Sequence, residues 1–457
     1  MNWPSLYLFT CACTLAPTLV AAEPSSWPTW RGPSGAGLAP DAKPPTTWSD
    51  QQNIRWKSAI PGTGFSTPII WKDQIFLLTA IETSETRGGG AATEAAPPSP
   101  PRGGDPRGKG GKKGGGFGGG GMKPSKVHDF AVVALDRKTG KILWQKSARR
   151  EIPHEGHHPT NSFASYSPVT DGERLYASFG SHGLFCYTLQ GVLLWEKDLG
   201  DMQTRNGFGE GSSPALAGDL IIIPWDQEQG SFVVALDKRT GAEIWRKSRN
   251  ERSGWSTPLV VQAAGKSQVI LPATNRTRSY DALNGDVIWE ASGLTTNVIP
   301  APVTGHGMVY VMSGFQGYSI QAIKLSSLGD VSETNHIVWN VRKSAPYVAS
   351  AVLSGKRLYV SKSTDAYLSC LNALTGEFYF QDQVLTGLRG LYASPIAANG
   401  YLYVVGREGA VMVLRDAEKF EIVATNQLKD KIDASPVAVD RELFLRGHDF
   451  LYCIAEG

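Results

Sequence analysis

The chain has 457 residues and a formal net charge of +3, from 45 Lys and Arg against 42 Asp and Glu. A chain so close to neutral gives no sign of the strongly basic balance expected of a nucleic-acid-binding protein. No Cys-x-x-Cys-His segment occurs, which excludes covalent c-type haem.

In chain order, residues 1–22 read as a signal peptide. Leu6–Val20 is mostly apolar, and Val20-Ala21-Ala22 before Glu23 makes a cleavage site. The mature protein is expected to be exported, periplasmic or secreted, and soluble, because no later apolar run is long enough to span a membrane. The residues before Cys11 and Cys13 do not form a lipobox. Residues 23–52 read as an extended N-terminal segment. Asn53-Ile54-Arg55-Trp56 reads as an outermost strand that lacks three partners before it.

From residue 53 onward a phrase recurs. It is clearest in Ala134-Leu135-Asp136 through Thr139-Gly140 to Trp144, and it returns ending at Trp245 and Trp289. Degenerate copies end at Trp195, Trp339 and Phe380. The steps between successive aromatic positions are 51, 50, 44, 50 and 41 residues. A second mark, a small residue and commonly a proline, opens each unit: Thr67-Pro68, Ser167-Pro168, Ser213-Pro214, Thr257-Pro258, Ala301-Pro302, Ser350-Ala351, Ser394-Pro395 and Ser435-Pro436. Between the marks, runs of β-branched and aromatic residues are split by turn residues. This period predicts an all-β chain, an eight-bladed β-propeller of four-stranded antiparallel blades over residues 53–457. The last unit lacks its fourth strand, so the strand at Trp56 is expected to complete it and remove an open edge.

The step from Trp56 to Trp144 is 88 residues. The excess lies in residues 82–126, 45 residues with 15 Gly and 6 Pro and a net charge of +4. That composition cannot offset its ordering entropy, so a disordered insertion inside blade 1 is expected. Replacing it with a short Gly-Ser turn is expected to leave the fold intact.

Several motifs are demoted by the repeat. Asp136, Asp237 and Asp281 precede Thr-Gly or Asn-Gly at fixed offset and read as turn residues. The tryptophans read as packing between blades. Cys186, Cys370 and Cys453 fall at one strand position, that of Ala134 and Ala235, and read as buried free thiols. His154-Glu155-Gly156-His157-His158 matches H-E-x-x-H, but Pro153, Gly156 and Pro159 oppose the helix on which that motif binds zinc. A polar loop without zinc is expected, with a looser His-rich metal or ligand site as the alternative. No catalytic residue is assigned.

In a meander, the D–A and B–C connections share one face. Here they are the longer ones, rich in His, Arg and Asn, and binding residues concentrate on such loops. The candidates for binding are His154, His157, His158, Asn161, Arg205, Asn206, Asp226, Glu228, Arg276, Arg278, Arg389, Arg407, His448 and Asp449.

The Ala-Leu-Asp-x-x-Thr-Gly-x-x-x-Trp phrase resembles the repeat of PQQ-binding-like propellers, which include quinoprotein alcohol dehydrogenases and BamB. The opening Trp27-Pro28-Thr29-Trp30-Arg31-Gly32-Pro33 is similar to exported BamB-like bacterial proteins. The resemblance implies a non-catalytic envelope scaffold for protein or peptide partners, monomeric, with no nucleic acid and no cofactor. For the dehydrogenase branch it implies PQQ held by adjacent cysteines, Ca²⁺ on a Glu/Asn/Asp set, and a catalytic Asp. This chain has no adjacent cysteines, and the calcium set is not placed residue by residue on it. The alternatives are thus a PQQ- and Ca²⁺-dependent dehydrogenase and a sugar- or polymer-binding propeller.

Overall fold

The computed structural model describes residues 26–86, 121 and 123–456. The signal peptide and most of the insertion lie outside them. Eight sheets of four antiparallel strands follow one another along the chain, and each blade runs A to D from the axis outward. Blade 3 is typical: Ala215–Ala217, Leu220–Trp225, Phe232–Asp237 and Glu243–Ser248. The eighth blade closes as expected. Ile54–Ala59 pairs antiparallel with Phe450–Ala455, and Trp56 faces Cys453. Arg137 of blade 1 then ties the joint, donating to Glu442 Oε2 (2.6 Å) and Asp440 Oδ2 (2.7 Å) of blade 8. Arg55 also reaches Glu442.

The repeated phrase is an inter-blade lock. Trp56, Trp144, Trp195, Trp245 and Trp339 each donate the indole N–H to a carbonyl in the C–D turn of the next blade. The acceptors are Arg137, Leu189, Lys238, Ala282 and Ala373, at 2.9–3.2 Å. Each ring covers the turn glycine of that blade: Gly140, Gly191, Gly241, Gly285 or Gly376. These glycines have φ between +70° and +81°, and a Cβ there would meet the ring at 2.5–2.9 Å. Both facts demand glycine. The aspartates shape the same turn, since Asp136 Oδ1 accepts from the Thr139 N–H (2.8 Å) and hydroxyl (2.7 Å). Cys186, Cys370 and Cys453 are fully buried free thiols opposite the strand-D aromatics. Burial pushes each thiol up to about 12.

The small residues that open the blades form a second ring, near the axis. The backbone N–H of each donates to the hydroxyl of its counterpart in the following blade, at 2.8–3.0 Å. The donor–acceptor pairs are Thr67–Ser167, Ser167–Ser213, Ser213–Thr257, Ala301–Ser350, Ser350–Ser394, Ser394–Ser435 and Ser435–Thr67. One link is missing, between Thr257 and Ala301, because alanine has no hydroxyl.

Two features depart from the sequence reading. Residues 82–86 and 126 are strand, since Gln74–Thr86 pairs with Lys126–Asp136 out to Thr86 and Lys126. The hairpin therefore carries the meander past the boundaries set by composition. The N-terminal segment is also more than extended chain. Ser26–Trp27 pairs with strand A of blade 1, and Leu38–Ala39 pairs parallel with strand A of blade 7. Between them Arg31, 3% exposed, donates to the carbonyls of Ala351 and Pro395, both at 2.9 Å. The segment lies along the inner edges of the blades and plugs one end of the axis.

Gly241→Ala should cost about 2–4 kcal/mol, from left-handed strain and the collision with Trp195. Ala301→Ser should add about 0.5–1.5 kcal/mol by supplying the missing acceptor. Denaturant midpoints at unchanged m-value check both. A neutral Gly241→Ala would remove the lock from the account of stability.

Candidate functional site

The hydroxyl ring positions a further layer. The residue two places before each ring position lies on the wall of one axial cavity of about 830 Å³. In blade order these are Phe65, Ser165, Gly211, Trp255, Ile299, Val348, Tyr392 and Asp433, one from each D–A connection. Trp30 of the N-terminal plug also lines the cavity. Since the plug runs along strands A toward the A–B turns, Trp30 forms the floor and the loop face is the mouth. Phe315 and Tyr347 stack on this wall with centroids 4.9 Å apart. Four wall residues other than glycine hold positive φ: Asn206 (54°), Asn297 (57°), Gln316 (54°) and Ser363 (53°). Such strain persists only where the surroundings enforce it.

The sequence candidates divide. His158, Asn161, Arg205 and Asn206 line the cavity. Arg205 donates to Asn297 Oδ1 (3.0 Å). Asn161 donates to the carbonyls of Phe208 (3.0 Å) and Glu210 (3.1 Å), which pins the neighbouring connection. Burial lowers the His158 imidazole, with Arg407 and His157 adding to the effect. Arg407 and His448 stand behind the wall and hold Asp433, at 3.1 and 2.8 Å.

The remaining candidates serve other contacts. Asp226 is buried in an ion pair with Arg249 (2.7 Å). Glu228 accepts from Ser253 (2.8 Å). Arg276 pairs with Asp330, and Arg278 with Glu251 and Glu290, all at 2.9 Å. Arg389 and Asp449 are exposed, with backbone carbonyls that accept from Arg407 and Ile60.

The H-E-x-x-H segment is coil, as its prolines dictate. His154 and His158 have separate partners: His154 Nε2 lies 2.7 Å from the Met202 carbonyl, and His158 Nδ1 lies 2.8 Å from Thr160 Oγ1. His154 and Glu155 instead meet Glu210 of the next connection around a small cavity of about 20 Å³. Glu210 was not among the sequence candidates. The signal available was a carboxylate set between two glycines in Gly209-Glu210-Gly211. Burial, then the charge of Glu210, raise the Glu155 carboxyl, against the hydrogen bonds from Thr204.

Two carboxylates line the large cavity. Asp433 is paired with Arg407 and His448. Glu210 is held by the Tyr166 hydroxyl (2.7 Å) and by the Ser181 N–H (2.9 Å) and hydroxyl (2.5 Å). Calcium takes six to eight oxygen ligands, several of them carboxylate. Among the described residues the cavity supplies no such set, and Cys186, Cys370 and Cys453 are buried in strands C away from its wall. The residues present do not fit a calcium-anchored quinone.

The family described as "Outer membrane protein assembly factor BamB" matches residues 128–382 and again residues 229–453. The chain belongs to this family. The two placements begin about two blades apart, which is the repeat matching itself in shifted register. A curated relative, the tetrathionate hydrolase of Acidithiobacillus ferrooxidans, is 23% identical over 305 residues, 62% of this chain and 55% of that protein. The outer membrane protein assembly factor BamB of Francisella salina is 29% identical over 109 residues, 23% of this chain and 19% of that protein. The matches thus span about half of the first relative and about a fifth of the second. Among solved structures, BamB from Moraxella catarrhalis aligns with TM-score 0.51 at 15% identity, covering 72% of this chain and 88% of that one. A europium-containing methanol dehydrogenase aligns with TM-score 0.58 at 10% identity, covering 93% and 89%. These likenesses show the fold, a propeller shared by assembly factors and quinoprotein dehydrogenases. Among the described residues no helix is long and apolar enough to cross a membrane.

Asp226→Ala should destabilise the protein by about 3–5 kcal/mol, because it strands the buried Arg249 guanidinium. Chemical denaturation measures this. A loss below about 1 kcal/mol would return Asp226 to the binding candidates.

Proposed function

We propose that the mature chain is an exported, monomeric, non-catalytic scaffold that receives a protein or peptide segment in its axial cavity. The observation that carries this reading is the make-up of the wall. Phe65, Phe208, Trp255, Phe315, Tyr347 and Tyr392 converge from separate connections onto one cavity, with Arg205 and the amides of Asn161 and Asn297 between them. Trp, Tyr and Arg dominate binding hot spots because they bury large area with few rotors and keep a polar handle. Glu210 and Asp433, the two carboxylates of the wall, are both held in place by protein donors. Family membership supports the scaffold reading, and the envelope is the compartment that reading implies.

Loss of the aromatic wall should be felt in binding rather than stability. The double variant Trp255→Ala/Tyr347→Ala should keep the native circular dichroism. From an envelope extract it should recover at least about 30-fold less of the partner captured by the wild type, as removal of a hot spot worth about 2 kcal/mol implies. Equal recovery would move the partner site off the cavity. Reconstitution with PQQ and Ca²⁺ should give no dye-linked alcohol oxidation; sustained turnover would replace the scaffold reading with the dehydrogenase one.

A further inference from the structure

We propose that His154, Glu155 and Glu210 bind one divalent transition-metal cation of the zinc class, which clamps the blade 1–2 loop to the blade 2–3 connection. This reverses the expectation of no metal drawn from the sequence, where only His154 and Glu155 were visible as neighbours. One ligand atom from each of the three residues lies within 4.8 Å of the other two. All three line the same cavity of about 20 Å³, which has room for one ion or one water.

The set is more than a cluster of acids, because the imidazole is prepared as a ligand. His154 Nε2 sits 2.7 Å from the Met202 carbonyl and can only donate to it. That contact leaves the lone pair on Nδ1. Nδ1 is shut off from solvent and has no hydrogen-bond partner. Donation of the second ring N–H to a backbone carbonyl is the usual support of a metal-binding histidine, since it fixes tautomer and ring direction.

The carboxylates are supported in the same way. Glu155 accepts from the Thr204 N–H (3.2 Å) and hydroxyl (2.5 Å). Glu210 accepts from Tyr166 and Ser181. A carboxylate has about four lone-pair positions, so each retains one for a cation. Neither forms an ion pair with Lys or Arg among the described residues. Gly180 faces Glu210 so closely that a Cβ would lie 1.6 Å from Oε2, and its φ of +59° also requires glycine. In a tetrahedral site with ligands at about 2.0–2.2 Å the ligand atoms lie about 3.3–3.6 Å apart, so a separation of 4.8 Å would close by about an ångström on binding. An imidazole with two carboxylates suits zinc better than calcium, which prefers six to eight oxygens.

The test uses the tag-free mature chain, stripped with EDTA and titrated with ZnCl₂ by calorimetry. One equivalent should bind and raise Tm, and about 1 mM CaCl₂ should not displace it, because calcium prefers six to eight oxygen ligands. Glu155→Gln and His154→Gln should each weaken zinc binding by at least about 10–100-fold. Cobalt provides a reading that needs no variant, since Co²⁺ bound by the wild type should show ligand-field bands distinct from the free aqueous ion. Less than a fifth of an equivalent of zinc, together with an unchanged cobalt spectrum, would overturn the proposal and leave a bridging water in the cavity. Undiminished zinc binding in both folded variants would overturn it equally. Partner recovery from the envelope has no bearing on these readings.

Discussion

No blade of a propeller can bury both its faces alone, so every other feature here depends on how neighbouring blades are joined. Two devices make the joint. At the outside, an indole ring lies on a left-handed glycine and its N–H reaches the adjacent turn. Near the axis, a backbone N–H reaches the next hydroxyl. The indole lock is absent at three interfaces, and at one of them, that of blades 4 and 5, the hydroxyl link is absent as well. Trp289 turns back to Gln268 of its own blade (3.2 Å), and Ala301 lacks a hydroxyl. The long C–D connection of blade 5 compensates. Its Gly329–Asp330 adds a parallel strand to the outer edge of blade 4, Val331 N–H bonds to Glu290, and Gln268 reaches the Leu325 carbonyl (3.2 Å). An irregularity in the repeat is thus matched by an irregular graft at the same place.

The architecture was legible because these joints restrict residue type at fixed spacing. Only glycine fits beneath Trp195, and only a hydroxyl can accept at Ser213, so selection for closure writes a period into the chain. The blade-completing strand at Trp56 was readable for the same reason. The plug was not. Arg31 binds carbonyls more than 300 positions away, and a carbonyl is the same at every residue, so no pattern announces the contact. The site was half legible. The argument from connection length reached four residues of the cavity wall, but charge drew attention to Asp226, Arg276 and Arg278, which serve buried or lateral ion pairs. The aromatic wall went unread: Phe65, Trp255 and Tyr392 share the periodic position, but its chemistry varies from blade to blade, and Phe208, Phe315 and Tyr347 lie off the period.

Ring closure and plug depend on one stretch of chain. Residues 26–59 supply the floor at Trp30, the inner strand at Trp27 and the outer strand at Trp56. The same segment therefore seals the last blade and blinds the axial cavity at one end. A propeller without it would face two open edges and a through-channel together. Closure is accordingly non-local, because Ile54–Ala59 pairs with Phe450–Ala455, about 400 positions away.

The layer two residues above the hydroxyl ring has a consequence for descent. Each blade contributes to the cavity one position at a fixed place in the repeat, beside wall residues that follow no period. From Phe65 to Asp433, that position holds eight different residues in eight blades. Substitution there leaves the hydroxyl contacts and indole locks in place, so the wall behaves as a word of eight letters written on an unchanging line. Duplication of blades would supply the line, and point mutation would spell a new ligand without refolding the protein. A diverse set of receptors could arise on this scaffold by drift at eight codons.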